Sequence, residues 1–512
     1  MKKKLKKSIV RITFNLLIIG FVFAILYLGF IEKKVSANNT KEYIVYNIEE
    51  IPQTLNNIPK GDLVQEDILY LLFDGLVIEN KDGKIIPQIS DSWDISEDGL
   101  SYSFHIRDDA YWSNGDKITA DDYRVFLFNF LKENSLEYKD LLFNVKGARD
   151  YSKGKIQSNS VGITVKDKKT LVFQLYFPDE NFLNILSEPC FLLRKDFNKL
   201  GEWKKNHNDI LYSGAFEIKS YSENDQMTIN KNKCYWDSEN IKLKELRFKN
   251  DDSIEVASGK YKVELIDIMR NTPESERSLL SEKNELFEAE TKNSVLYIYN
   301  ANEGKILRNY QNRKKLTYFI SGDSKEENNV EFSLIDDNDI CKEGLTLLCY
   351  IGDLGNSNVE GAYNLLNISN DLLENLKDAN INTILKTVYT KEELKEELVK
   401  GDFDIYVTKE SINDDIKTFY VKWMHGSIYN IFGYNNCDYD EAVLKYITTS
   451  NYNEKFINIK KAAKMLTEDN MYLKLENENL IMGKKEYIKN LEVNSRGNLL
   501  LKYAYIDNEK LK

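Results

Sequence analysis

Apolar and polar residues alternate in short blocks along most of the chain, and the period of the alternation changes often. Tyr102, Phe104 and Ile106 alternate with Ser101, Ser103, His105 and Arg107, the period of a strand with one apolar face. A polar loop follows, with Asn114-Gly115 as its turn signal. Thr119 then stands three residues before Asp122, a capping-box pattern. Behind it Tyr123, Phe126, Leu127, Phe130 and Leu131 recur at helical spacing. The same reading predicts strands at 41–48, 294–301 and 403–407, with paired strands over 161–177 and over 214–221 with 227–231. It predicts helices at 65–73, 308–319, 392–400, 439–448 and 455–466, and a return to strands over 488–505. Strands and helices are mixed throughout, without internal repeats or low-complexity linkers, which points to a large α/β protein.

The first segment has a different pattern. Five lysines crowd the first seven residues, and residues 12–31 then form an uncharged run with only Thr13 and Asn15 as polar breaks. That length matches the hydrocarbon core of a bilayer, and the lysines before it favour a cytoplasmic N-terminus. A cleaved signal peptide is the competing reading, with Val35-Ser36-Ala37 as the small-residue cleavage site. The length of the run favours an anchor. Either reading places the residues after about 38 outside the cytoplasm, on the cell membrane if the anchor is kept. No Cys lies near this segment to carry a lipid.

The 512 residues leave room for about two or three domains. A net charge of -12 argues against nucleic acid as a partner. Cys190, Cys234, Cys341, Cys349 and Cys437 lack metal-ligand spacing; Cys341 and Cys349 are a possible disulfide outside the cell, and reduced thiols are the alternative. His105, His207 and His425 form no metal motif. No nucleophile elbow, phosphate loop or dinucleotide fingerprint occurs. These residues offer no catalytic constellation, metal site or cofactor site, and nothing in them raises an extracellular hydrolase above background.

The segment from Trp93 to Asp122 contains Trp93, Ser96, Asp98-Gly99-Leu100, Tyr102, Phe104, Arg107, Trp112-Ser113-Asn114-Gly115-Asp116 and Thr119-Ala120. In these residues it resembles a signature of the extracytoplasmic solute-binding proteins of oligopeptide and dipeptide ABC importers, bacterial solute-binding protein family 5. Phe73-Asp74-Gly75-Leu76, Tyr212-Ser213-Gly214-Ala215-Phe216, Asn230-Lys231-Asn232 and Tyr235-Trp236-Asp237 follow the family in the same order. The resemblance is dense to about residue 248 and thin over 251–407.

The resemblance implies a periplasmic-binding-protein-like bilobed α/β fold of class II, the three-domain oligopeptide-binding type, after an N-terminal membrane segment at 1–37. Domain I would be discontinuous over 38–85, 206–288 and 488–512. Domain II, inserted at 86–205, would complete the first lobe, and domain III at 289–487 would form the second. It implies a substrate-binding protein that captures oligopeptides between the lobes and delivers them to ABC permease subunits, as a monomer. The alternative is a membrane-tethered, diverged member acting as a peptide sensor or binding a non-peptide solute. By position, Gly61, Asp62 and Leu63 of the first lobe and Lys409, Glu410 and Ser411 of the second would pair with the peptide backbone. The family's Asp for the peptide ammonium corresponds to Asn413 in strict register, with Asp414 one residue on. The Trp and Pro that accompany it in the family are missing here.

Overall fold

The computed structural model describes residues 41–48, 50–56, 63–133, 139–222, 226–251, 253–270, 272–321, 344–351, 359–410, 416–449 and 451–511. The predicted membrane span and cleavage site lie outside these residues. No helix among the described residues is long and apolar enough to cross a membrane.

One sheet runs through the molecule. Its order is Thr383–Val388, Leu345–Tyr350, Ile405–Glu410, Leu286–Tyr299, Tyr472–Lys484, Ile268–Met269, Tyr43–Ile48, Glu245–Asn250, Gln226–Lys231 and Phe216–Ser222. Tyr43–Ile48 is buried from Ile44 onward and lies parallel to both Glu245–Asn250 and Ile268–Met269. A strand covered on both faces needs such a near-continuous apolar run. At this end of the sheet the helix Leu63–Leu72 buries Ile68, Leu69 and Leu72 against Tyr46, Phe216 and Phe248. Gly214 is required there: a Cβ on it would stand 2.5 Å from the Phe73 backbone nitrogen.

A separate four-stranded sheet, ordered Ser90–Ile95, Ser101–Ile106, Thr170–Gln174 and Ile163–Asp167, has its own core. Tyr102, Phe104 and Ile106 point into it, as their alternation requires. The helix Ala120–Lys132 opens with the predicted capping box. Asp122 N–H donates to the Thr119 hydroxyl at 3.3 Å and Thr119 N–H to the Asp122 carboxylate at 2.8 Å.

At the other end of the long sheet both faces are buried. Leu296 and Ile298 join a core with Trp423, which follows the helix Ile416–Val421, and with Tyr439, Ala462 and Leu466 from the helices Cys437–Thr448 and Tyr452–Glu468. Val295, Tyr297 and Tyr299 alternate with them into a second core with Leu316, Leu372 and Leu376, from the helices Tyr310–Ser321 and Val359–Asp378. The architecture is α/β. Cys349 sits in this region as a buried free thiol, while Cys341 lies outside the described residues.

Two differences from the sequence reading matter. The strand predicted at 294–301 is the second half of the fourteen-residue strand Leu286–Tyr299. Its first half alternates Phe287 and Ala289 with Glu288 and Glu290, and the polar Thr291-Lys292-Asn293 then interrupts the pattern. The thirteen-residue strand Tyr472–Lys484 went unread for the same reason: after Leu473 and Leu475, Glu476 and Glu478 interleave with Asn477 and Asn479 instead of with apolar residues over its middle.

Candidate ligand site at the strand crossing

Leu286–Tyr299 and Tyr472–Lys484 are long enough to belong to more than one core. They pair antiparallel from Leu286↔Gly483 to Glu290↔Asn479, where Phe287, Ala289 and Leu480 pack on the core around Tyr46 and Phe248. The register then shifts twice, on either side of Ser294, before pairing resumes from Leu296↔Lys474 to Ile298↔Tyr472. Such shifts leave residues out of the ladder and bend the strand locally. The Ser294 hydroxyl meets the Asn477 side-chain oxygen at 2.9 Å across this irregular stretch.

The loop around Gly497 packs onto the crossing. Lys292 N–H donates to the Ser495 carbonyl at 2.7 Å. Gly497 has φ 94°, and a Cβ there would stand 3.5 Å from both Leu63 Cδ1 and Thr291 Cγ2. The Arg270 guanidinium donates to the Gly497 carbonyl at 2.6 Å and to Asp67 at 2.7 Å. Tyr46 OH and Leu499 N–H also donate to Asp67, at 3.0 and 2.8 Å. Burial pushes the Asp67 carboxyl up to about 7, while Arg270 and these donors pull the other way. Beside this loop Arg496 pairs with Glu188 and donates to the Tyr70 hydroxyl at 2.9 Å.

Among the predicted site residues, Leu63, Lys409 and Glu410 are described, and these three lie beside the crossing. Leu63 opens the helix Leu63–Leu72 and reaches the crossing through Gly497 and Thr291. Lys409 and Glu410 end the strand Ile405–Glu410, paired with Val295 and Ser294. The ladder from that strand to Leu345–Tyr350 stops at Val407↔Cys349, so Thr408, Lys409 and Glu410 run beyond it. The Glu410 carboxylate forms an ion pair with Lys422, whose ammonium lies 4.5 Å from the centre of the Phe419 ring. Gly61, Asp62, Ser411, Asn413 and Asp414 lie outside the described residues.

The chain upstream of Leu63 is anchored at Leu55 and Asn56. Arg194 donates to both their carbonyls at 3.1 Å, and to those of Cys190 and Leu192 at 2.6 and 3.2 Å. Burial pulls this guanidinium down to about 10. The arrangement at the crossing offers backbone edges, hydroxyls, carboxamides and paired charges. That is equipment for holding an extended polar chain. Among the described residues no group of three or more His, Cys, Asp and Glu side chains is placed to hold a metal ion.

Sequence reasoning missed Thr291, Ser294, Asn477, Arg194, Arg496 and Gly497. Only Gly497 carried a signal, as a turn glycine next to Asn498. The others have roles that depend on partners far along the chain.

Residues 84–321 match the family model for bacterial extracellular solute-binding proteins, family 5 Middle. That match takes in a little under half of the chain, and over it the chain is similar to that family. The oligopeptide-binding protein OppA of Bacillus subtilis is 27% identical over 55% of this chain and 53% of its own length. The dipeptide-binding protein DppE of the same organism is 28% identical over 41% of this chain and 40% of its own length. The matched stretch thus spans about half the length of these curated relatives or less. In fold the correspondence is longer. The crystal structure of Haemophilus influenzae OppA in complex with RPPGFSPFR superposes with a TM-score of 0.70, covering 91% of this chain and 99% of the other at 19% identity.

The segments that carry the resemblance lock to one another in the fold. Asp74 of the Phe73-Asp74-Gly75-Leu76 segment accepts from Tyr235 OH at 2.8 Å and Trp236 Nε1 at 3.2 Å, joining it to the Tyr235-Trp236-Asp237 segment. Arg107 lies 3.6 Å over the Trp236 ring. Ser113 N–H donates to the Tyr212 carbonyl at 2.9 Å, and Tyr212 N–H to the Ser113 hydroxyl at 3.1 Å. Trp112 itself is fully buried, with the Lys195 ammonium 4.5 Å from its ring centre.

Proposed function

We propose that this protein captures oligopeptides outside the cytoplasm and delivers them to the membrane permease of an ABC importer. The observation that carries the reading is the convergence of Leu63 and Glu410 on the crossing at Thr291–Ser294, from two different cores. A peptide in extended form would lie between them and add to the end of the strand Ile405–Glu410. In strand addition main-chain bonds give affinity, and roomy pockets accept varied side chains. The Haemophilus influenzae OppA structure in complex with RPPGFSPFR supports a peptide as the occupant.

The finer reading is the one that the sequence and its resemblance imply. Residues 38–85, 206–288 and 488–512 form domain I, 86–205 the inserted domain II and 289–487 domain III, with the two crossing strands as the hinge. Residues 12–31 hold the protein on the membrane as an uncleaved anchor, and it acts as a monomer. Gly61 and Asp62 extend the backbone site before Leu63, and Ser411 extends it after Glu410. Asp414, or Asn413 beside it, receives the peptide's amino terminus. No step in this role breaks or makes a covalent bond in the peptide.

The test is native mass spectrometry of the full-length chain purified from its source under mild conditions, followed by calorimetry with peptides of graded length. Bound peptides that rebind with micromolar or tighter affinity are expected. An absence of peptide together with no binding across the series overturns the proposal. Asp414→Asn and N-acetylation of the best peptide should each weaken binding strongly; if neither matters, the amino terminus is held elsewhere.

A further inference from the structure

Lys455 lies on the helix Tyr452–Glu468, whose Ala462 and Leu466 are buried in the core around Trp423. Its side chain does not follow the helix's other lysines into solvent. It is 9% exposed, and its ammonium donates to the Pro178 carbonyl at 2.8 Å, across 277 positions of chain. The centre of the Tyr446 ring lies 5.9 Å from the same ammonium.

Pro178 belongs to the other body of the molecule. It follows the strand Thr170–Gln174 of the four-stranded sheet, and the backbone around it is tightly held. Asn144 donates to the Phe177 carbonyl at 3.0 Å and accepts from Phe177 N–H at 3.2 Å. Tyr102 OH donates to the Asp179 carbonyl at 2.9 Å. Gly99, with φ 67°, lies so close that a Cβ on it would stand 3.1 Å from Pro178 Cβ. The acceptor is therefore fixed before the donor arrives.

We propose that Lys455 is a positioning latch, which closes the two halves of the molecule over the cleft by binding the Pro178 carbonyl. The contact joins the helix Tyr452–Glu468 to the body that carries the four-stranded sheet, so a rotation at Glu290–Ser294 that parts the two breaks it. The chemistry suits a reversible catch. A lysine ammonium is strongly hydrated and returns to water at little cost when the cleft opens. A single charge-assisted hydrogen bond has a modest net worth, so the latch biases the equilibrium without locking it. This inference rests on the reading of a cleft that opens and closes, but not on what the cleft binds.

The test therefore uses ligand-free, full-length protein in detergent micelles. Spin labels are carried on non-natural amino acids at Lys166 and Lys464, exposed positions on the two bodies. Double electron–electron resonance then reads their distance distribution. Wild type should show a short-distance population. Lys455→Met should lower the ratio of short to long distances by about tenfold, the factor that loss of such a bond implies. Lys455→Arg should restore it, and the unfolding midpoint of Lys455→Met should stay at the wild-type value. Lys455→Gln serves as the second neutral variant if the Met side chain disturbs the helix. An unchanged distribution in the neutral variants overturns the proposal, as does a wild type without the short distance or a loss that Arg does not restore. Peptide binding can succeed or fail independently of these outcomes.

Discussion

Asp74 and Lys502 stand 428 positions apart in the chain and 2.6 Å apart in the fold. Both are buried, and the same carboxylate also accepts from Gln88, Tyr235 and Trp236. The helix Leu63–Leu72, the hairpin around residue 230 and the C-terminal segment are thereby tied to one point. A buried ammonium stripped of its counter-charge is costly. Asp74→Asn should therefore destabilise the protein by about 3–5 kcal/mol, measured by urea unfolding. Lys502→Met alone should also destabilise it, and the double variant should lose less than the sum of the two. Additive losses would mean that the pair is not coupled.

This pair also shows what the sequence could reveal. Asp74 stood inside a recognisable motif, and Lys502 stood in a stretch with no motif at all. The capping box at Thr119–Asp122 and the strand Ser101–Ile106 were legible because they depend on neighbours within a few residues. The hairpin Phe216–Ser222 with Gln226–Lys231 was legible for the same reason. The crossing was not. Leu286–Tyr299 and Tyr472–Lys484 are polar where they pass between cores, so periodicity fails at the candidate site. Leu63, Lys409 and Glu410 were reached only through the family resemblance, and the residues that support them, Thr291, Ser294 and Gly497, carried no comparable pattern.

Gly497 should be intolerant of side chains for a backbone reason. A Cβ would meet only ordinary contacts at 3.5 Å, so space is not the obstacle. Its φ of 94° is, because L-residues strain there. Gly497→Ala should cost about 1–2 kcal/mol in chemical denaturation. It should also alter peptide affinity, since the same loop holds Leu63 and Thr291. Stability and affinity both at wild-type values would remove the loop from the site.

Arg194 makes a prediction about order upstream of Leu63. Its guanidinium holds four carbonyls, including those of Leu55 and Asn56. Arg194→Met leaves those buried acceptors without donors, at roughly 1–3 kcal/mol for each one that water cannot reach. Hydrogen exchange should accelerate over residues 50–56 in the variant, and peptide affinity should fall while the exchange of 345–350 stays unchanged. Uniform acceleration across the chain would indicate general destabilisation instead.

The last prediction concerns how the ligand's backbone is read. Thr408, Lys409 and Glu410 extend past the end of the ladder to Leu345–Tyr350 while remaining paired to Leu286–Tyr299. A peptide that adds at this strand end presents its N–H groups alternately toward the protein and away from it, because the pleat repeats every second residue. A scan that methylates one peptide nitrogen at a time should therefore alternate. Methylation at a protein-facing nitrogen removes a main-chain bond of about 1 kcal/mol, roughly a fivefold loss in affinity, and adds a steric clash. Methylation at the next nitrogen should be nearly silent. Side-chain changes along the same peptide should matter less than the facing methyl groups, as the roomy pockets of strand addition allow. Calorimetry of the series against the full-length protein reads this directly. A scan without alternation, or one governed by side chains alone, would show that the ligand is not held as an added strand.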